Sequence, residues 1–401
     1  MSPVLPFDVI ALIIDIVGEN EDTELLKKLA LVSHSFHQIC IKHLFANVDL
    51  HDAKPIIHHV ASSKKGFVKL VKSRPNVVNY IRKLTYETSR NNPDDDHLLA
   101  PILSNFLPTI SRLNCLAING SHFRWDQMDS SLSSAFLHLM SLPTMNHIDL
   151  SYIESFPLSS LTSSVNLLRL DISYVWNYDC PEQDNSLKSR QSETLFKIRE
   201  FHTSGSYQMT EKLLDVKGQD GRPVFDFMDL RQLSISFVIF QDQRNIQCLL
   251  EKAKLLEKLR LSVDDSGLSL LGVLSTVSRT LKVLDLTIPL SQYPFPVFPP
   301  LAGLCEELEA MAGHNTLEVF SFELLVDSRD RVESIGSTIQ KVENILVKPG
   351  WSALRQVSFK FQLDFWEKAD YTKVFQLIPD EYLSHLPKHE SIAFHFSAYT
   401  L

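Results

Sequence analysis

The chain has 401 residues, 44% hydrophobic and 22% charged, with 39 Lys and Arg against 48 Asp and Glu. That apolar content excludes a disordered chain, and 12 glycines with 19 prolines exclude a collagenous or low-complexity one. A net charge of −9 argues against general nucleic-acid binding, which draws on a basic surface. The five cysteines (Cys40, Cys115, Cys180, Cys248, Cys305) stand far apart with no C-x-x-C pair. A dense disulfide framework is thereby excluded, and a reducing compartment is expected. No run reaches the roughly 18 apolar residues of a membrane helix. The apolar segment from Val9 to Ile14 lacks the basic residues that precede it in a secretory signal. The expectation is a soluble intracellular protein, cytoplasmic or nuclear, with no membrane contact.

The first fifty residues carry three short helical patterns. Pro6 stands where a helix starts, a position at which its missing N–H costs nothing. Ile10, Ile13, Ile14, Ile16 and Val17 follow it, and the spacing of Leu25, Leu29 and Val32 marks an amphipathic helix. Three helices in some 45 residues bury little surface alone, so such a piece is expected to complete its core against a partner. His34, His37, Cys40 and His43 recur every third residue. On a helix such steps rotate by about −60° each, so the four side chains spread around it and no metal site is expected. Residues 1–50 carry a net charge of −4 and residues 51–90 one of +7. The basic stretch interleaves with Phe67, Val68, Leu70 and Val71 and reads as an amphipathic helix with a solvated face.

From residue 81 onward a pattern of apolar-x-x-apolar-x-apolar recurs. Its ten copies start at Ile81, Leu113, Met145, Leu167, Ile198, Leu230, Leu256, Leu281, Leu317 and Leu354. A last alternation, Ile392, Phe394 and Phe396, closes the chain. Counting the first apolar residue of each copy as i, positions i+3 and i+5 alternate as a strand's core face does. The residues between copies leave room for one helix. Candidate helices lie at residues 96–111, 131–141, 243–254, 303–313 and 332–346. Strand and helix in alternation imply an α/β fold with a parallel sheet. The copies are spaced 22 to 37 residues apart.

This pattern resembles the leucine-rich repeat, whose regular period is about 20–29 residues. It departs from the family in having no consistent Asn or Cys column after the strand. The resemblance implies an irregular solenoid over residues 81–401, an open arc of parallel strands with helices on its convex side. The N-terminus resembles an F-box. Leu5, Pro6 and Asp8 match the family's first element, and Leu26, Leu29, Ala30, Val32 and Ser33 its later helix. Phe36 stands where Trp is usual. Taken whole, the chain is similar to F-box/leucine-rich-repeat proteins, of the F-box-like kind abundant in mushroom-forming fungi. The resemblance implies an F-box module at 1–50, a basic helical linker at 51–80, and the solenoid. It also implies a substrate-recognition subunit of an SCF-type ubiquitin ligase. The F-box would dock the Skp adaptor, and through it the cullin complex, by Leu5, Pro6, Asp8, Ile10, Ile13, Leu29, Val32 and Phe36. An alternative is a repeat scaffold with a degenerate F-box and no ligase role.

The candidate binding face follows from the register. If i+3 and i+5 point inward, then i+2, i+4 and i+6 point outward. The centre of that outward face is charged: His147, Asp149, Arg169, Asp171, Glu200 and His202, followed by Lys258 and Arg260. A protein substrate with a basic element is expected there. Two long insertions, residues 174–197 and 205–229, carry Trp176, Tyr178 and Tyr207 as candidate contacts. The proline-rich run from Pro289 to Pro300 reads as a stiff loop. There is no G-x-S-x-G, H-E-x-x-H, phosphate loop or G-x-G-x-x-G motif. Neither catalysis nor a cofactor nor a metal is therefore expected, and a hydrolase on an unrecognised sheet is the weakest reading.

Overall fold

In the computed structural model the described residues are 6–20, 22–51, 64–88, 99–104, 110–176, 196–217, 221–238, 242–263, 272–290, 303–326, 329–363 and 382–400. They form a mixed α/β chain that divides into two compact units. One comprises residues 1–196 with 218–224, the other residues 197–217 with 225–401.

The first unit opens with three helices, α1 (Phe7–Glu19), α2 (Thr23–Ala30) and α3 (His34–Leu44). Asp22 caps α2 by accepting from the Leu25 N–H, and Ser33 caps α3 by accepting from the Phe36 N–H. Ile14, Leu26 and Cys40 form their small core. Gly18 lets α1 meet α3, because a Cβ there would lie 2.3 Å from the His43 ring. The same approach brings Asp15 within 2.7 Å of both Lys42 and His43. Hydrogen bonds from Lys42 and His43 hold the Asp15 carboxyl below the usual carboxylate range.

The sheet of this unit has strands β1 (Asn47–Leu50), β2 (Lys83–Glu87), β3 (Cys115–Arg124), β4 (His147–Glu154) and β5 (Arg169–Ser173). They pair in chain order, all parallel. Strand β1 precedes the ten copies read from sequence. Phe45, Val48 and Leu50 repeat the same apolar spacing, and all three are buried. Helix α4 (Lys64–Ser73) is the amphipathic basic helix, with Phe67, Val68 and Val71 inward. One of its bases departs from the expected solvated face: Lys64 is buried, its Nζ 4.5 Å from the centre of the Tyr86 ring. Helix α5 (Ser130–Met140) links β3 to β4, and residues 99–104 are helical within the predicted 96–111.

The second unit repeats the plan. Its strands are β6 (Glu200–Ser204), β7 (Gln232–Val238), β8 (Lys258–Val263), β9 (Val283–Leu290), β10 (Val319–Val326), β11 (Gln356–Leu363) and β12 (Ala393–Thr400). They too pair in chain order and parallel. The helices are α6 (Tyr207–Asp215), α7 (Asp242–Lys252), α8 (Leu304–Met311) and α9 (Arg329–Leu346). Helix α6 corrects the reading of 205–229 as a projecting insertion. Met209, Leu213 and Leu214 give it a buried stripe. Pro289 lies in β9 rather than in a loop, beyond the last β9 residue paired with β8. The rest of the proline-rich run lies outside the described residues.

Every i+3 side chain from Leu84 to Val357 is buried, as is every i residue. The predicted register therefore holds within both units. The starts of most strands are fastened in the same way. The carbonyl of residue i+1 accepts from two successive N–H groups of the next copy, as Asn114 O does from Asn146 and His147 at 3.0 Å each. The second unit repeats this from Arg199 O to Glu318 O.

Two fully or nearly buried glutamates tie irregular segments to the helices of the second unit. Glu307 on α8 accepts from the N–H groups of Gly272, Leu274 and Ser275. Glu343 on α9 has no exposed surface and accepts from His385 N at 2.7 Å and Leu386 N at 2.8 Å. Removing such a carboxylate orphans buried donors. Glu343→Ala is expected to cost on the order of 2–4 kcal/mol in a thermal melt and to expose residues 382–392 to protease. Glu343→Gln, which keeps one acceptor oxygen, is expected to lose less. An alanine variant that melts with the wild type would show that the clamp contributes nothing.

Candidate functional site

The polar face of the first unit is built by register. Parallel pairing sets Lys83, Cys115, His147 and Arg169 abreast, one per strand, at position i+2. The next outward row sets Asp49, Thr85, Ala117, Asp149 and Asp171 abreast. A largely basic row thus lies beside a row that ends in two carboxylates. Four of the predicted residues meet here. His147 Nε2 is 2.9 Å from Asp171 Oδ2, and Arg169 donates to the same carboxylate from Nε at 3.1 Å and Nη2 at 2.9 Å. Asp149 accepts from the Ser151 hydroxyl at 3.3 Å.

The titration of this cluster has clear causes. Burial pulls the His147 imidazole down, but its hydrogen bonds to Asp171 and Cys115 outweigh that and push it up to about 9. Burial first, then the charge of Asp171, pushes the Asp149 carboxyl up. Asp171 is therefore engaged by His147 and Arg169 of its own sheet, and a basic ligand would have to compete with them. Cys115 is the residue that sequence reading passed over. Its Sγ lies 3.1 Å from His147 Nδ1.

The other predicted contacts lie in the second unit. Glu200, Gln232 and Lys258 stand abreast, so Gln232 separates Glu200 from Lys258 and donates to Glu200 at 3.5 Å. His202, Ser234 and Arg260 form the next row, and Arg260 Nε reaches Asp285 Oδ2 at 2.9 Å. Trp176 does not project as a loop residue. It bridges to Glu154 and extends the sheet edge, next to a stacked pair, Tyr152 and Tyr174, whose rings are 4.9 Å apart. Tyr152 and Tyr174 occupy the same position of successive copies, and both take left-handed backbone, φ 55° and 51°. Tyr207 opens α6, and Tyr178 lies outside the described residues.

The N-terminal helices present a different surface. Of the predicted adaptor contacts, Leu5 lies outside the described residues. Pro6 and Asp8 are exposed at the start of α1. Ile10, Leu29 and Phe36 pack partly inward against the Ile14, Leu26 and Cys40 core. Ile13 and Val32 point to solvent. They have company beyond the predicted adaptor contacts: Phe7, Val9, Leu12, Ile16, Leu25 and Leu31 are also exposed. Val9, Leu12, Ile13 and Ile16 follow i, i+3, i+4, i+7 and share one face of α1. Leu12 is 60% exposed and Val32 64%. The predicted His34, His37, Cys40 and His43 do not converge: Cys40 is in the core, His43 is on Asp15, and among the described residues no group of metal-ligating side chains forms.

No family model matches the sequence, and no curated protein matches it. Among solved structures the chain is similar to one in the "Crystal structure of Rad7 and Elc1 complex in yeast". That match has 13% identity and a TM-score of 0.35, over 91% of this chain and 86% of the other. A likeness this loose assigns no function.

Two outcomes follow from the titration of the polar cluster. His147 holds its proton to about 9 when folded and to about 6.5 when unfolded, so its stabilisation is complete below about 6.5 and is lost as pH rises through 9. Chemical denaturation of wild type and His147→Gln should therefore show a stability gap that narrows as pH rises from about 6.5 and closes above about pH 9. Asp149 has the opposite sign, since an acid whose folded pKa is raised costs stability once ionised. Asp149→Asn should raise the Tm at neutral pH, and a lowered Tm would contradict this account of the cluster.

Proposed function

We propose that the chain is a substrate-recognition subunit of an SCF-type ubiquitin ligase. On this reading residues 1–50 are the F-box that docks the Skp adaptor and so the cullin complex. Residues 51–80 form the basic link, and residues 81–401 present a protein substrate from their repeat faces. The chain does no chemistry on the substrate and works in the cytoplasm or nucleus.

One observation carries the adaptor half of this reading. The three-helix module closes its core on one side of α1 and leaves a second apolar face, Val9, Leu12, Ile13 and Ile16, in solvent. Exposed apolar patches of this kind mark protein-binding sites. The N-terminal sequence pattern names the partner. For the substrate half, the support is the pair of polar rows. His147, Asp149, Arg169 and Asp171 offer both charge signs in the first unit, and Glu200, His202, Lys258 and Arg260 do so in the second. A scaffold with a degenerate F-box is the second reading. It is favoured by Phe36, which packs inward on the module's own core instead of standing out for an adaptor.

Capture by purified Skp adaptor separates the two. The double variant Leu12→Ser/Ile13→Ser changes only exposed side chains, so its melting curve should stay close to wild type. Its affinity for the adaptor should fall at least about tenfold, since two half-exposed aliphatic contacts are worth more than 1.4 kcal/mol together. No capture of the wild-type chain removes the ligase reading and leaves the scaffold.

A further inference from the structure

Four described cysteines are free thiols, and three of them sit in ordinary surroundings. Cys40 is fully buried in the three-helix core, where desolvation pushes its thiol up. Burial does the same to Cys305, and Cys248 is half-buried on α7. Cys115 differs. It is the first residue of β3 and points to the polar face, while its neighbour Leu116 points to the core.

What surrounds Cys115 is an ordered relay. Its Sγ is 3.1 Å from His147 Nδ1. The other ring nitrogen, Nε2, is 2.9 Å from Asp171 Oδ2, and Arg169 holds that carboxylate from Nε and Nη2. Thiol, imidazole and carboxylate thus stand in the order that lets the imidazole take the thiol proton and be steadied as a cation. The charged groups that face the sulfur are Lys83 from β2, His147 and Asp149 from β4, and Arg169 and Asp171 from β5. Its two in-register neighbours, Lys83 and His147, are both basic. Cys115 is 8% exposed, so it is largely shielded from solvent.

We infer that Cys115, His147 and Asp171 form a peroxide-reactive thiol site on the sheet face of the first unit. The Cys115 proton passes to His147 Nδ1. The thiolate then attacks the terminal oxygen of a hydroperoxide. An S–O bond forms and the O–O bond breaks. The sulfur is oxidised by two electrons, and the peroxide is reduced to water or an alcohol, which leaves with the proton from Nδ1. Cys115 is left as a sulfenic acid, open to capping by an external thiol. The tendency of His147 to stay protonated to about 9 agrees with this pairing. Because Cys115 lies in the same row as His147 and Arg169, oxidation alters the face read above as a binding surface. The site itself stands whether or not the chain serves a ligase.

The test uses the full chain exposed to hydrogen peroxide with dimedone at about pH 6.5, read by peptide mass spectrometry. Cys115 should carry at least about tenfold more dimedone than the more accessible Cys248, and His147→Gln should abolish that preference. Protection of Cys40 in the same digest reports that each variant is folded. Alkylation of wild-type Cys115 by iodoacetamide supplies a second measurement. Its rate should fall at least about tenfold in His147→Gln, while that of Cys248 stays as in wild type. Cys115 labelling no faster than Cys248, or labelling of Cys115 by either reagent that is insensitive to His147→Gln in a folded variant, would each overturn the proposal.

Discussion

Parallel pairing that starts each strand in register is the constraint on which the rest of each unit depends. In each copy the side chains at i, i+3 and i+5 are withdrawn from water, all of them apolar except Thr203. Burying each large one is worth about 1.5–3 kcal/mol, and a slip of one residue would turn all of them outward. The shared carbonyl at position i+1 adds a backbone stop: two successive N–H groups of the next copy converge on it, so each strand starts level with the last. Side-chain identity on the outer face can then vary freely, because neither device uses it. That freedom lets a charged row, a cysteine or a stack of tyrosines occupy the same structural slot in different copies.

Levelled strands also decide which charges meet. Residues at the same position of adjacent copies come abreast although 22 to 37 residues separate them in sequence. His147 therefore touches Cys115 and Asp171, 32 residues before it and 24 after it. Along the strand starts of the second unit the same rule strings Arg231, Glu257 and Lys282 into a line of ion pairs at 3.0 and 3.4 Å. That line is open to solvent and contributes little. The His147 cluster is more enclosed, so its charges shift one another's protonation, and Asp149 is carried upward while His147 stays charged.

Much of this was legible in the sequence, and the failures have physical reasons. The apolar triplets announced the strands, the register and the outward columns, and helical spacing placed α5, α7, α8 and α9 to within three residues. Strand β1 was hidden because Phe45, Val48 and Leu50 follow directly on α3 and read as its continuation. Helix α6 was hidden because Tyr207 and its neighbours were weighed as an insertion, while Met209 and Leu213 carried the helical spacing. The relay through Cys115 lacks any local motif. The column arithmetic that placed His147 outward at i+2 also places Cys115 there, one copy earlier, so the pair was within reach of a reading that compared columns across copies. The buried Glu307 and Glu343 had no such signal, since a carboxylate that caps distant backbone looks like any other on a helix surface.

Helix α1 poses the energetic question that the F-box reading must answer. Ile10, Ile14 and Val17 serve the module's own core, and Val9, Leu12, Ile13 and Ile16 line another face. A helix apolar on both sides is ordinarily covered on both. Those four side chains are already partly shielded, so covering the remainder yields about half of the 1.5–3 kcal/mol that each would give from full exposure. The sum is of the same order as the 4 kcal/mol or more that association itself consumes. A partner that touched α1 alone would bind weakly. Phe7 at the start of α1, Leu25 on α2, and Leu31 and Val32 in the turn between α2 and α3 are the further exposed apolar groups of the module. A lasting complex must cover that turn as well as the helix. On the F-box reading, the surface to look for on the adaptor is an apolar groove broad enough to hold α1 and to reach the α2–α3 turn.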